Sequence, residues 1–345
     1  MSGGLDSILV ARVLLAQGIE VTAVSFKSLF FDTEKAKKAA ASLGISLLEI
    51  DFTEEHLAMV KKPKYGYGKN MNPCIDCHAM MFRKAGGLLI SPPQPLPRGE
   101  YPPQSSDGHR REFIFDFIAT GEVLGQRPMS QNAQALKTVA EYAGLADSLV
   151  RPLSAKLLEE TKPEKEGLVD RSKLLDISGR GRERQMELAK GFGVVEYPSP
   201  GGGCLLTDPE FGKRLAELFG NVPECDSSDV ELVKSGRVFW FNGEKGKILA
   251  VVGRDKEECN KLILLKKDND LLIELKDEMG PVSLVRAYGF KLANIKENIT
   301  ISSPVKIPNI LLEKRENFAI IELIAQLVGY YAPKTRGREV NIAIS

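Results

Sequence analysis

What this chain lacks narrows its class before any motif is read. No apolar run approaches the roughly 18 residues of a membrane span. The amino end has no basic stretch leading into an apolar one, so a secretory leader is not expected. Charge of one sign is not in excess: the formal net charge is +1, and binding to nucleic acid would have to come from local patches. The five cysteines are odd in number and include a single CxxC pair. In a chain expected to be cytoplasmic, that favours metal or redox chemistry over a disulfide framework. What is present is ordinary globular material, 43% hydrophobic and 27% charged over 345 residues, enough for about two domains.

The apolar pattern alternates between helical and strand periods. ILVARVLLAQG (8–18) has helical spacing and stops at Gly18; IEVTAVSF (19–26) reads as a buried parallel strand. Residues 32–44 predict a helix, 45–52 a strand, 54–62 a helix, 115–122 a third strand and 131–144 a helix. This alternation indicates βαβ units, hence an α/β domain with a doubly wound, mainly parallel sheet whose ligands lie beyond the carboxyl ends of the strands. The Pro-, Gly- and Ser-rich stretch at 88–112 reads as a flexible insertion. Residues 151–222 form a charged helical and turn extension, and 225–345 a smaller α+β domain of short strands and one long apolar helix.

The chain begins MSGGLDS. Gly3 and Gly4 permit close approach of backbone N–H groups to an anion, Ser2 and Ser7 add hydroxyls, and the following helix aims its positive end at the same place. Asp6 makes sense there if it orients donors or meets Mg²⁺. No Lys follows the glycines, so this is not a kinase-type P-loop; a plain helix start is the simpler alternative. A second group of residues is NPCIDCHAMMFRKAG (72–86), where Cys74 and Cys77 have the spacing of a metal or redox pair. His78 reads more simply as helix surface. Cys204, after three glycines in SPGGGCLLTDPEF, sits on a tight turn suited to meeting a cluster or a substrate. Arg83 and Lys84 would favour thiolates nearby. Cys225 and Cys259 have no such surroundings.

SGGxDS resembles the PP-loop of the ATP pyrophosphatases, an adenine nucleotide alpha hydrolase-like fold that includes the tRNA thiouridine synthetases. The resemblance implies that Ser2, Gly3, Gly4, Asp6 and Ser7 cradle ATP phosphates with Mg²⁺. It implies too that the strand end at Val24, Ser25 and Phe26 faces adenine, and that Thr120 and Gly121 contact the nucleotide. Glu122 stands where that family has a His. In the PP-loop fold a strand precedes the motif. The fold is therefore expected to lack its usual first strand, or else the natural start lies upstream of Met1.

CxxC with one distant Cys on such a fold looks like sulfur chemistry on tRNA. Three arrangements stay open for Cys74, Cys77 and Cys204: ligands of a [4Fe–4S] cluster, a persulfide relay, or a structural metal. GEVLGQRPMSQN, RPLSAKLLEETKPEKEGLVDRSKLLDISGRGRERQ and GGGCLLTDPEF resemble a PP-loop group related to tRNA 2-thiouridylases. Arg127, Arg151, Lys156, Arg180, Arg182 and Arg184 then become candidates for tRNA phosphates, although each alone reads as a solvated charge. The carboxyl-terminal segment resembles the NFACT-R type RNA-binding domain, with packing or dimerisation as the simpler alternative.

The expected function is ATP-dependent thiolation of a tRNA uridine, with Cys74, Cys77, Cys204 and Asp6 as the chemical residues. The expected partners are tRNA and a sulfur donor protein or sulfide, and the oligomeric state is left open. A PP-loop ligase or amidotransferase acting on a small molecule would not need the cysteines, and no glutaminase domain is visible. A non-catalytic RNA-binding protein would not need SGGxDS.

Overall fold

Helix α1 (Leu5–Leu15) follows the two glycines directly and buries Leu5, Ile8, Leu9, Val10, Ala11, Val13 and Leu14. A helix apolar on nearly all sides must be packed on nearly all sides. Its partners include Leu153, Val169, Leu174, Ile177 and Ala189. Strand β1 (Thr22–Lys27) pairs in parallel with β2 (Ser46–Asp51), in register from Thr22 opposite Ser46 to Lys27 opposite Asp51. The crossover is α2 (Glu34–Leu43), which ends on Gly44 in the left-handed conformation at φ 67°, where a side chain would be strained. Helices α3 (Thr53–Lys61) and α4 (Cys74–Gly86) follow. Strand β3 (Ile118–Ala119) then leads to α5 (Ala133–Ala143) and β4 (Leu149–Val150), which pairs with β3 in parallel. Two further helices, α6 (Lys162–Lys165) and α7 (Glu183–Gly191), complete this part.

This computed structural model describes residues 1–89, 115–198, 203–292, 298–308 and 316–345. The chain divides into two units, Met1–Pro209 and Glu210–Ser345. The segment expected as a separate extension at 151–222 therefore falls within the first unit as far as Pro209. From residue 90 to 112 the expected insertion lies outside the described residues. The doubly wound sheet needs a correction: among the described residues the parallel strands form two separate pairs, β1–β2 and β3–β4. The third strand, expected over 115–122, is only two residues long, because the chain turns at Thr120 to bring Gly121 against α1. No helix among the described residues is long and apolar enough to cross a membrane.

The second unit begins with α8 (Pro209–Asn221) and α9 (Ser227–Val233). Its strands are β5 (Arg237–Asn242), β6 (Lys247–Val252), β7 (Leu271–Leu275), β8 (Ser283–Tyr288), β9 (Asn298–Ser302) and β10 (Glu339–Ile344). They form one sheet in the order β5-β6-β8-β7-β10-β9, antiparallel at every pairing. Helix α10 (Lys256–Leu264) links β6 to β7, and α11 (Asn317–Tyr330) lays Ile320, Ile321, Ile324, Leu327 and Val328 on Phe241, Ile248, Ile273, Val285 and Ile342. Strand β9 was not expected, although Asn298–Ser302 alternates polar and apolar residues; it lies at the sheet edge and buries only Ile301. Arg286 is buried and donates to Asp270 at 2.6 Å and to Asp229 at 2.9 Å. Removing either acid would strand a buried charge.

A buried histidine makes the first unit sensitive to acid. His56, on α3, stacks on the Phe52 ring at 4.6 Å and meets Phe30 edge-on at 5.4 Å. Neither ring nitrogen has a hydrogen-bond partner among the described residues, and burial lowers its pKa from 6.5 to about 3. The unfolded chain therefore takes up this proton first. The stabilisation is whole above pH 6.5 and is lost as pH falls toward 3, at up to about 1.4 kcal/mol per pH unit. His56→Phe is expected to flatten the loss of stability between pH 6.5 and 5, read by urea denaturation at each pH. A variant with the same acid slope as the parent would show that His56 is not its source.

Candidate nucleotide and thiol site

The opening loop lies flat against the first turn of α2. Gly3 has φ +73°, and a Cβ there would stand 2.3 Å from the Lys35 carbonyl and 2.7 Å from Ala36 N. Inside the loop, the Gly4 N–H donates to Ser2 Oγ at 3.3 Å and Ser7 Oγ donates to the Gly4 carbonyl at 2.8 Å. Gly4 occupies the N-cap of α1 and supplies no capping side chain. The first-turn N–H groups are thus left for an anion.

Gly121 meets the same loop from the other side. A Cβ on it would stand 2.9 Å from Ser7 N and 3.0 Å from Asp6 C, so only glycine permits this approach. Thr120 N donates to the Val150 carbonyl at 2.9 Å, which fixes the turn to β4. Thr120, Gly121 and the Ser2–Ser7 loop are thereby brought together. At the end of β1, the Phe26 ring packs 5.3 Å from Phe52, Ser25 is buried and Val24 accepts a hydrogen bond from the Met1 amine.

Asp6 Oδ2 accepts from Gln126 Nε2 at 3.2 Å and lies 3.6 Å from Arg182 Nη2. Its other oxygen, Oδ1, is buried with no hydrogen-bond partner among the described residues. A hard, unsatisfied carboxylate oxygen beside a phosphate cradle fits Mg²⁺, which takes one or two carboxylates and completes its shell from phosphates and water.

Glu122 is buried, with Oε1 3.0 Å from His78 Nδ1 and Oε2 accepting from Arg151 Nε at 3.0 Å. Burial alone would raise its pKa, but the His78 hydrogen bond and the Arg151 charge outweigh burial and hold it below the ordinary value. Two expectations are corrected here. Arg151 is no candidate for tRNA phosphate: it is buried, pairs with Glu122 and donates to the Leu136 carbonyl at 3.0 Å. His78 is not plain helix surface but a partner of the residue that replaces the family's His.

Cys74 opens α4 and Cys77 lies one turn on, buried. Cys204 precedes a short 3₁₀ turn, Leu205–Thr207, that is fastened from two sides. Leu205 N donates to the Phe30 carbonyl at 3.0 Å, and Asn70 Nδ2 donates to the Thr207 carbonyl at 2.6 Å. Asn70 sits in the left-handed region at φ 56° to do so. Of the three glycines before Cys204, Gly201 and Gly202 lie outside the described residues.

The three thiols feel one another electrostatically. Burial, then Cys204 and Cys74, push the Cys77 thiol well above its ordinary value. Burial raises Cys74, with Arg127 opposing. Burial also raises Cys204, to about 11, with the Leu206 N–H and Arg127 pulling the other way. All three are therefore protonated at neutral pH. The helping charge is not the expected Arg83 and Lys84, since Lys84 pairs with Glu55 at 2.8 Å and Arg83 donates to the Tyr142 carbonyl at 3.4 Å. Among the described residues no set of three or more His, Cys, Asp and Glu is arranged to hold a metal ion. The thiols as placed do not fit a cluster or a structural metal.

Of the other candidate cations, Arg184 pairs with Asp176 at 2.6 Å and Lys156 donates to the Ser172 carbonyl at 2.8 Å. Arg127 and Arg180 are exposed. Cys225 is buried, and Cys259 Sγ accepts from Val282 N at 3.4 Å, as expected of ordinary cysteines. Sequence reasoning missed the roles of Asn70 and Gln126. The glycine-bearing GEVLGQ segment was a signal for Gln126, whereas nothing local marks Asn70.

Residues 1–85 match the family model of the tRNA methyl transferase HUP domain. The chain is 39% identical over 93 residues to a tRNA-specific 2-thiouridylase of Syntrophotalea carbinolica, covering 23% of this chain and 26% of that protein. It is 33% identical over 92 residues to that of Treponema denticola, covering 23% and 25%. With the Leptospira interrogans protein of the same name the match extends over 190 residues at 28% identity, covering 48% and 45%. The chain thus spans about a quarter to just under half the length of these curated relatives. Residues 1–85 thus resemble the HUP domain of that family model, and the likeness to the 2-thiouridylases is partial.

Two outcomes follow from this geometry. Gly121→Ala is expected to weaken ATP binding at least about tenfold and to cost about 1–3 kcal/mol of stability, measured by calorimetric titration and urea denaturation. Iodoacetamide labelling of Cys204, followed by peptide mass spectrometry, should rise about tenfold per pH unit with no plateau up to pH ~10. A plateau below pH ~8 would contradict a raised thiol pKa.

Proposed function

We propose that this protein uses ATP to thiolate a uridine of tRNA. The observation that carries the reading is the turn Thr120–Glu122. Gly121 presses on the phosphate-type loop at Ser7, while Glu122 holds His78, the neighbour of Cys77. One turn of chain therefore joins a nucleotide cradle to a cluster of thiols, a combination that a small-molecule ligase would not require.

In this reading the Ser2–Ser7 loop binds the β,γ-phosphates. Mg²⁺ on Asp6 would screen their charge. A uridine carbonyl oxygen attacks the α-phosphorus, the α–β phosphoanhydride breaks and pyrophosphate leaves. The uridine carbon then carries AMP as a good leaving group, and dividing the displacement into two steps lowers each barrier. A persulfide, delivered to Cys204 by a sulfur donor, attacks that carbon through its terminal sulfur, and AMP departs. Cys77 next attacks the inner sulfur of the resulting disulfide link to uridine. This releases thiouridine and leaves a Cys77–Cys204 disulfide, which a dithiol reductant must reopen. The pairing of Cys77 with Cys204 is favoured because, after burial itself, Cys204 is the largest influence on the Cys77 thiol. Cys74 adds to the same cluster and opens the helix.

The carboxyl-terminal unit is read as the RNA-binding part. The Arg336 guanidinium lies 4.5 Å over the Tyr330 ring and Arg237 lies 4.2 Å over Tyr331. Paired aromatic and cationic groups of this kind stack on bases and meet phosphates.

Nucleoside mass spectrometry of tRNA from a deletion strain is expected to show one thiolated uridine missing. The unaltered gene should restore it; Asp6→Asn, Cys77→Ser and Cys204→Ser should not. An unchanged thionucleoside profile in the deletion strain would sink the proposal.

A further inference from the structure

Of the arginines before and at the start of α7, Arg182 turns its side chain toward Asp6 of the opening loop. Arg182 is the N-cap residue of α7, and its side chain is only 20% exposed. Its Nη2 lies 3.6 Å from Asp6 Oδ2, too long for a formed hydrogen bond. Its Nε is buried with no partner among the described residues, and so is Asp6 Oδ1. Each group of the pair thus spends only part of its bonding capacity on the other and holds an unsatisfied polar atom out of water. Leaving such atoms unpaired is costly, so the pair as it stands is incomplete.

A triphosphate tail with Mg²⁺ supplies what both lack. Asp6 Oδ1 would hold the metal, and the guanidinium would meet phosphate oxygens, which its planar fork suits better than an ammonium would. The neighbouring contacts fix the residues around it. Arg184 is fixed to Asp176 by its Nη2 at 2.6 Å and its Nη1 at 3.2 Å from the carbonyl. Gln126 holds the Asp6 carboxylate from the opposite chain segment.

Resting on the reading of the loop as an ATP site, we infer that Arg182 is a phosphate ligand that grips the β,γ-phosphates of ATP and the pyrophosphate leaving group. In the nucleotide-free protein it is parked against Asp6. The arginine keeps the carboxylate's charge balanced until Mg²⁺ takes over, and then turns to the phosphates. Its grip is on the leaving group, so it discriminates ligands by their phosphate tail and is indifferent to AMP.

Calorimetric titrations of the full chain with ATP, pyrophosphate and AMP, each with Mg²⁺, test this. Arg182→Gln is expected to weaken ATP and pyrophosphate about 10- to 100-fold and to leave AMP affinity within about twofold. Arg182→Lys should recover part of the loss, because it keeps the charge but not the fork. Urea denaturation of both variants separates binding from folding. Equal weakening of ATP and AMP, or an unchanged affinity for pyrophosphate, would show that Arg182 only neutralises Asp6. If Arg182→Gln does not fold, Arg182→Lys decides, and parental pyrophosphate affinity in it overturns the inference. A parent protein that binds neither ATP nor pyrophosphate overturns the ATP site itself, and the inference with it.

Discussion

The backbone of Gly121 lies so close to the first turn of α1 that a single added carbon would stand 2.9 Å from Ser7 N. Much of the site's electrostatics follows from this contact. With the turn pressed inward, the next side chain, Glu122, has nowhere to go but the interior. A carboxylate there must be paired or neutralised. It is paired twice, by Arg151 from beyond β4 and by His78 from α4. Those two partners tie the helix bearing Cys74 and Cys77 to the strand pair that meets the loop. A steric constraint on one glycine thus becomes a charge network, and the network sets where the thiols stand.

The thiols themselves are held unreactive. Burial raises all three, and the positive charge that opposes it at Cys74 and Cys204 comes from the exposed Arg127. Oxidation and adventitious alkylation act through the thiolate, so protonated thiols are protected from both. Arg127 lies in the polar segment after β3 together with Gln126, which contacts Asp6. The opening loop and the charge near the thiols are therefore served by neighbouring residues of one short segment.

Local signals were legible where the physics is local. Gly18 and Gly44 marked the helix ends, the β-branched run marked β1, and SGGLDS marked the turn into α1. The cysteine spacing at 74 and 77 pointed to one helix turn, which is α4. What stayed hidden depends on partners far away in sequence. Arg151 looks like any surface cation until Glu122 is found beside it, and His78 like helix surface for the same reason. Asn70 carries no motif at all; its left-handed backbone and its bond to Thr207 exist only once the chain is folded. The parallel strands followed the predicted order, but periodicity reports burial and not which strands pair, so it did not foresee two separate pairs. In the second unit β9 was missed although Asn298–Ser302 alternates polar and apolar residues as a half-buried strand does.

The basic run RGRER shows how neighbouring side chains of one composition can meet different surroundings. Arginines gathered in a short run suggest nucleic acid by default, and for a solvated side chain nothing distinguishes the cases. Burial does. Arg184 is exposed and already paired with Asp176, while Arg182 is mostly withdrawn from water and faces a carboxylate that has a spare buried oxygen. A cation that gives up hydration without completing its hydrogen bonds is poised for an anion that enters the same space. A polymer lying on the surface would not require that burial; a compact phosphate tail would. The two arginines, two residues apart, thus divide the work. One anchors the turn to its own segment, and the other faces Asp6 of the opening loop.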